Sequence, residues 1–574
     1  WQITAANLTS SLYTLHPETT AKYLVETDPA FTNKRNFLSS DYMYQQLQWD
    51  PDKAPKRLGD GFYEQYLIRS QILDQTGRRY LGDYTDDMTQ YKALMDAGIT
   101  YAKAMGLVPG VSLSAAQAAA LTSDMVWLET KTVTVDGQKE TVIYPHVYLR
   151  AGSRQQLLAD GSLISANTLI VDTKDAVTNS GIFVGKSVQV QAGFVDNAGH
   201  VQGQDVAIVS EHDIHQTGLI TAADQLRMQA KGDITLENTV DHLANQDVLN
   251  RTAGIAVTGS QGVAVISAGR DLNLAGASLQ ALGENGAVIL QAGKDVNLTS
   301  QTLNARKDMT LNKDNYLRTQ RQTEVGTSME VKGGVAVQAG QDINARAAYI
   351  NSDNGTVAMA AGRDINFTTG RETAVDDYGL KHKESGLLSS STTTVRTHDD
   401  HQRVLGTTVT GQAVQIGAVQ DVNMTAATVA GQDDITVAAG RNVTTTSDMQ
   451  YDKATAYTKV KSSGVLGAGL GIMIGTQKMQ DNYEGESKTQ IGTILGSSEG
   501  SVTIAAGDTA HLTTTDIIGK TGVDMAAQDI ILEGKQNEAH EHQTHEESMS
   551  GLTIGLSSPV ITAAEGVRST IRTA

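Results

Sequence analysis

Apolar and polar residues alternate with period two through a phrase that recurs along the chain. It stands as Ala268-Gly269-Arg270-Asp271-Leu272-Asn273-Leu274 and returns as Ala292-Gly293-Lys294-Asp295-Val296-Asn297-Leu298, Ala339-Gly340-Gln341-Asp342-Ile343-Asn344 and Ala361-Gly362-Arg363-Asp364-Ile365-Asn366. Weaker copies are Ala439-Gly440-Arg441-Asn442-Val443 and Ala506-Gly507-Asp508. Ahead of each Gly the alternate positions are apolar, as in Ala264/Ile266/Ala268, Val288/Leu290/Ala292, Val335/Val337/Ala339 and Val357/Met359/Ala361. That period gives each strand one apolar face. Past the Gly, Leu272, Val296, Ile343 and Ile365 are expected to point inward, and Asp271, Asn273 and their counterparts outward. Each unit reads as two short strands meeting at a corner, with Gly supplying a positive φ and the Asp accepting backbone N–H groups. Gly-to-Gly spacings of 24 (269 to 293) and 22 (340 to 362) fit one coil of a solenoid. The expected fold class is therefore mainly β, a right-handed parallel β-helix.

At this spacing the stretch from Ser153 to Gly370 should hold about ten coils, a rod on the order of 50 Å long. Beyond Gly370 the period breaks, with 78 residues from Gly362 to Gly440 and 67 from Gly440 to Gly507. Three inserts are expected, each opening on a shared phrase: Ser385-Gly386-Leu387-Leu388, Ser463-Gly464-Val465-Leu466 and Ser550-Gly551-Leu552. The run from Leu466 to Gly475 alternates apolar residues with mostly Gly and reads as a β-hairpin strand with one apolar and one bare face.

Proline marks the main boundary. Six of seven prolines, Pro17, Pro29, Pro51, Pro55, Pro109 and Pro145, precede residue 151, where stacked inner strands would not accept them. Of the 27 aromatic residues, 18 lie there too, so the region is built differently. Helices are expected at Tyr42 to Leu47 behind Ser40-Asp41, Phe62 to Gln75 capped by Asp60, Asp86 to Met105, and from Ser114 to about Leu121. Lys131 to Val135 and Thr141 to Tyr148 should form a hairpin across Asp136-Gly137. The division expected is the end of a preceding solenoid over 1–27, an α+β junction module over 28–150, regular β-helix over 151–370, and β-helix with long β-hairpin inserts over 371–574.

Composition then narrows the chemistry. No cysteine occurs among 574 residues, so disulfides, Cys-ligated zinc and a Cys nucleophile are excluded. The net charge of −19 argues against nucleic acid as a partner. No run of 18 apolar residues offers a transmembrane helix, and no leader follows Trp1, which suggests a fragment or processed piece.

The metal candidates are His540, His542 and His545 with Glu546 or Glu547, and His382, His398 and His401 occupy the matching part of another insert. A solvated polar insert is the favoured reading of both, so no metal or cofactor is expected. The Gly-rich Ser463 to Gly475 run lacks the lysine and following helix of a phosphate loop. Asp271, Asp295, Asp342 and Asp364 are candidates for the carboxylates of a polysaccharide-cleaving enzyme, but each follows a corner Gly, a structural position, and Arg270, Lys294, Arg363 and Arg441 beside them read as surface charge. Leu466 to Ile474 and Leu552 to Leu556 are candidates to face lipid, against packing on the rod or pairing with Ile491 to Leu495.

The coils and Ser-Gly-Leu inserts together resemble the filamentous-haemagglutinin repeats of two-partner-secreted exoproteins. Phe37 to Met43, Lys56 to Gln65, Thr76 to Leu81 and Leu121 to Leu128 resemble the block ahead of the second repeat region in contact-dependent growth inhibition exoproteins. The resemblance implies a non-enzymatic, secreted fibre on the surface of a diderm bacterium, exported by an outer-membrane two-partner secretion transporter. It would present a C-terminal toxin to a receptor or outer membrane of a target cell, with membrane insertion of the hairpins as a possibility. The alternative is a filamentous adhesin without a toxin.

Overall fold

The computed structural model describes residues 13–16, 18, 20–27, 38–50, 54–76, 80–81, 84, 86–135, 138–150, 162–468 and 471–555. Its first part is a module of helices α1 (Asp41–Gln46), α2 (Gly61–Thr76), α3 (Asp87–Met105) and α4 (Ala115–Ala119) on a five-stranded sheet. The strands are β1 (Tyr13–Leu15), β2 (Tyr23–Thr27), β3 (Arg57–Gly59), β4 (Met125–Val135) and β5 (Gln138–Tyr148), in the order β1-β2-β3-β5-β4.

Local signals explain the helix starts. Asp86 accepts from the Thr89 N–H, Ser114 and Gln117 close a capping box, and Asp60 accepts from the Tyr63 N–H. Ser40, expected as a cap, makes no capping bond; its N–H and hydroxyl both donate to Glu64 at 2.6 Å. Burial raises the Glu64 carboxyl to about 7 against the opposing effect of those two bonds. The Asp136-Gly137 turn lies outside the described residues.

Residues 13–15 and 23–27 do not end a preceding solenoid. They pair antiparallel with each other, and β2 runs parallel to β3. Leu24 and Val25 are fully buried in a cluster with Leu58, Tyr63, Leu67 and Val142, which holds them in the module. Residues 1–12 lie outside the described residues.

From Leu163 the chain winds into twelve coils whose strands stack in parallel, the arrangement of a β-helix. In coils 1 to 4 one long strand serves two columns, as in Leu219–Ala230; from coil 5 it divides into a first column (Gly254–Val257 onward) and a second (Val263–Ala268 onward). The third column runs from Ala176–Asn179 to Asp529–Glu533. Inward positions are those the period-two pattern marks: Leu272, Val296, Ile343 and Ile365 are completely buried in one continuous core.

Among the described residues eight coils, not about ten, precede Gly370. Two hairpins, Thr239–His242 with Asp247–Arg251 and a longer one within 300–326, take up the difference. The second was hidden because 47 residues from Gly293 to Gly340 is close to two coil lengths.

The corner glycines are needed for closeness between coils. None of Gly269, Gly293, Gly340 and Gly362 has a left-handed φ, but a Cβ at Gly293, Gly340 or Gly362 would strike the carbonyl oxygen of the corner Gly one coil below. The left-handed residues sit at a different corner, between the third and first columns: Gly276, Ala347, Ala426 and Thr514, with φ of 68°, 49°, 47° and 47°. Those belong to coils 5, 7, 9 and 11. Coils 4, 6, 8, 10 and 12 replace that tight corner with a hairpin or a long strand, so from coil 4 on the two devices alternate, while coils 1 to 3 have neither.

The module lies along the first column, whose strands are buried on both faces. Phe62 packs on Ala430 and Ile494, Tyr66 donates to Asp353, and Arg69 pairs with Glu330 at 2.9 Å while its guanidinium lies 4.0 Å from the centre of the Tyr349 ring. Spacing of i, i+4 and i+7 puts these three side chains on one stripe of α2. Tyr80 closes a small cluster with Leu249, Leu303 and Val325 at the root of the hairpins.

Candidate functional site

The hairpins on successive even coils join. Ser300 to Gly326 forms the first full hairpin, Gly370–Ser385 with Ser389–Leu405 the second, and Asp448–Ala468 with Gly471–Ile491 the third. The second arm of each pairs antiparallel with the first arm of the next: Tyr316 opposite Gly379, Ser389 opposite Gly464, and Gly471 opposite Gly555 in the long strand Glu538–Gly555. The result is one seven-stranded antiparallel sheet rising from the rod.

Geometry dictates the alternation. Coils stack at about 4.8 Å and strands in a sheet pair at about the same distance, so a two-stranded hairpin occupies the width of two coils. One hairpin on every second coil therefore tiles a continuous sheet. Strands of up to 21 residues carry it roughly 70 Å outward at ~3.3 Å per residue.

Cross-hairpin ion pairs stitch the sheet. Arg321 reaches Asp376 at 2.7 Å, Arg396 reaches Asp314 at 3.1 Å, Arg371 reaches Asp448 at 2.7 Å, and Arg403 and His401 share Asp452 at 2.8 and 2.7 Å. At the root, Glu324 accepts from Arg346 at 2.9 and 2.6 Å and from Ser300 at 2.7 Å, contacts that hold its carboxyl below the usual range despite burial.

The shared insert phrases meet at one end of this sheet. Gly464, Gly475 and Gly551 stand side by side, and a Cβ at any of them would strike a neighbouring backbone. Next to them Val465, Ile474 and Leu552 form a cross-strand row, and the Val465 N–H donates to the Leu388 carbonyl at 3.0 Å. All are exposed, Leu552 at 70% and Leu388 at 68%, so the row is an apolar border on an otherwise polar sheet. The run from Leu466 to Ile474 does not pair with Ile491 to Leu495; Asp448–Ala468 and Gly471–Ile491 are two arms of one hairpin, and Thr493–Ser497 belongs to the first column. Gly469, Leu470 and Leu556 lie outside the described residues.

The histidines are spread across the strands. His398 bonds Asp377, His401 bonds Asp452, His382 approaches Glu384 at 3.5 Å, and His545 bonds Asp481. His540 and His542 face Glu486 and Glu484 on a different side of their strand from His545. Among the described residues no group of three or more potential ligands has a metal-holding arrangement. His398, Asp377, Glu484 and His542 instead line a shallow groove of about 420 Å³ with Tyr316, Arg396 and Tyr457.

The repeated Asp residues form a structural ladder. Each carboxylate accepts the backbone N–H of its counterpart on the next coil: Asp271 from Asp295 at 3.1 Å, Asp295 from Asp342 at 2.9 Å, Asp342 from Asp364 at 3.1 Å and Asp364 from Asp421 at 3.0 Å. Arg363 and Arg441 clamp Asp342 and Asp421 and hold both below the ordinary carboxylate range. Beside it an amide ladder climbs through Asn273, Asn297, Asn344, Asn366 and Asn423, with steps of 2.8 to 3.0 Å. This second ladder was missed in the sequence, although the recurring Asn two residues past each Asp was its signal.

A family model of the haemagglutinin repeat matches residues 309–455 and 474–567, spans that take in both rod coils and strands of the hairpin sheet. The chain is 30% identical to the tRNA nuclease CdiA-2 of Burkholderia pseudomallei over 97% of its own length and 20% of the relative's. It is 29% identical to the 16S rRNA endonuclease CdiA of Enterobacter cloacae over 99% of its length and 19% of the relative's. A tRNA nuclease CdiA of Escherichia coli is 28% identical over 93% and 18%, so the chain spans about a fifth of the curated relatives it matches. No solved structure matches it. With its repeats fitted by that family model and nearly its whole length aligned to these proteins, the chain belongs to the CdiA-like haemagglutinin-repeat exoproteins.

Proposed function

We propose that this segment is a non-catalytic presenting and delivering part of a large secreted surface exoprotein that carries a C-terminal toxin into neighbouring bacteria. The names of the relatives, which are nucleases and toxins, support contact-dependent inhibition as the setting. On this reading the segment reaches the cell surface through an outer-membrane two-partner secretion transporter and engages a receptor or the outer membrane of the target. The rod sets the pitch, and the hairpin sheet is the part that meets the target. The observation that carries the reading is the apolar row Val465, Ile474 and Leu552 with Leu388 beside it. It gathers the three insert phrases at one border of a sheet whose strands exceed the 9 to 11 residues or so that cross a bilayer.

The test places Leu388→Asp, Ile474→Asp and Leu552→Asp together in the full-length exoprotein. Killing of target cells in co-culture should fall at least about tenfold, since each carboxylate is unfavourable on a lipid-facing strand and three are placed together. Surface display on the producing cell, read with an antibody, should be unchanged. Undiminished killing would remove the delivery role from this border. A second reading, a filamentous adhesin without a toxin, draws on the Tyr316, Arg396 and Tyr457 groove, and predicts loss of cell binding on Tyr457→Ala with killing irrelevant.

A further inference from the structure

The three outer faces of the rod have different fates. The module covers the first column, and the third carries the amide ladder and opens into the hairpins. The second remains open and is uncharged: none of its strands from Val263–Ala268 to Ser501–Ala506 contains a charged residue, over seven coils of a chain with net charge −19.

One glycine on this face has no explanation within the chain. Gly417 sits in the interior of the regular strand Ala413–Ala418, its φ is not left-handed, and a Cβ there would meet nothing within 4 Å. A strand-interior Gly weakens a sheet and often marks close approach of another backbone or ligand. Gly417 also lines a depression of about 320 Å³ with Gln338, Ala358, Ala360, Gln415 and Ala438.

We propose that the second column is a self-association face, on which a second copy of this chain packs with its rod reversed. The fit follows from the register. A two-fold axis along the middle strand, Thr356–Ala361, superposes coil 7 of one copy on coil 9 of the other and coil 6 on coil 10. Because Gln338, Ala360, Gly417 and Ala438 stand at the same strand position, and Ala336, Ala358, Gln415 and Thr436 at another, each long side chain meets a short one. Gln338 lies over Gly417, Gln415 over Ala336, and Gln291, which is in register with Gln338, over Ala438. The seven strands cover about 34 Å by 17 Å, so a pair encloses on the order of 1,200 Å², the lower bound of a stable interface. Copies of net charge −19 repel one another on average, and this face carries none of that charge.

Sedimentation of the 574-residue chain should show a monomer–dimer equilibrium at micromolar concentration. Gly417→Glu, which has room in the monomer, should weaken it at least about 100-fold by burying unpaired carboxylates, while Thr444→Glu on the third column leaves it unchanged. Circular dichroism melts establish that both variants fold. Since the chain has no cysteine, Gln338→Cys with Gly417→Cys reports the register: oxidation should give a disulfide-linked dimer, because within one copy the two positions are two coils, about 9.6 Å, apart and cannot be bridged. A monomer at every concentration, a dimer indifferent to Gly417→Glu, or cross-linking by Gln338→Cys alone would overturn the proposal, as would a monomer that binds a flat polysaccharide through this face.

Discussion

The rod and the hairpin sheet use the same strand spacing and opposite chemistry. In the rod, alternate side chains enter a largely apolar core, so burial of Val, Ile and Leu drives the fold and the strands are short. In the sheet, beyond the small cluster of Leu303 and Val325 at its root, no apolar core is present among the described residues, and long antiparallel ladders with cross-strand ion pairs hold the strands together. An extended single layer is stable here because the rod fixes where each hairpin begins. Register that would otherwise slip in a polar sheet is pinned at its root by Glu324, Arg346, Arg371 and Asp448.

The sharpest way to break this contrast is a truncation in each region. Phe367→Ala in coil 8, at 1% exposure, should cost about 3 to 5 kcal/mol of rod stability, read by denaturant unfolding. Leu380→Ala on the hairpin sheet, at 41% exposure, should change it by less than about 0.5 kcal/mol. Comparable losses would mean that the sheet has a hidden core.

A smaller effect on the rod, but a larger one on the sheet, is expected from excision. Replacing 369–407 by a two-residue left-handed corner like Ala426-Ala427 should leave the rod's unfolding midpoint nearly unchanged. It should also open a gap of about 9.6 Å between the first and third hairpins. Hydrogen exchange of Asn315–Gly326 and Asp448–Ala468 should then quicken at their newly exposed edges. Unchanged protection would show that hairpins stand without neighbours.

The smallest effect separates the regions by pH. Asp342 and Asp421 have depressed carboxyls because Arg363 and Arg441 hydrogen-bond them, so their contribution is present above the ordinary carboxylate value and lost as pH falls through the lowered one. His545 is raised by its bond to Asp481, so its contribution is complete below its ordinary value near 6.5 and lost as pH rises through the raised one. Protection factors in Glu538–Gly555, corrected for the intrinsic rise of exchange with pH, should fall as pH rises above about 6.5 while those of the coil corners hold, and His545→Asn should remove that dependence.

Legibility followed the range of the interactions. The alternation around Gly293 and Gly362 foretold the inward residues because burial at a strand position is local, and Asp86 and Ser114 marked helix starts for the same reason. Three features escaped. The hairpin within 300–326 was masked by its length, the reason for the corner Gly lay in the carbonyl of another coil, and residues 23–27 joined a sheet whose next strand begins at Arg57. The apolar row was visible as three repeated phrases, but its assembly from Val465, Ile474 and Leu552 required pairing across some 90 residues of chain.

The alternation of tight corners and hairpins makes length a quantised property of this architecture. Adding a single coil between two hairpin-bearing coils would shift every later hairpin by one strand and leave it facing empty space, so growth or loss there is tolerated only in pairs of coils with one hairpin. The heritable unit is thus 69 residues from Gly293 to Gly362 and 78 from Gly362 to Gly440, about three times the period that the recurring phrase displays.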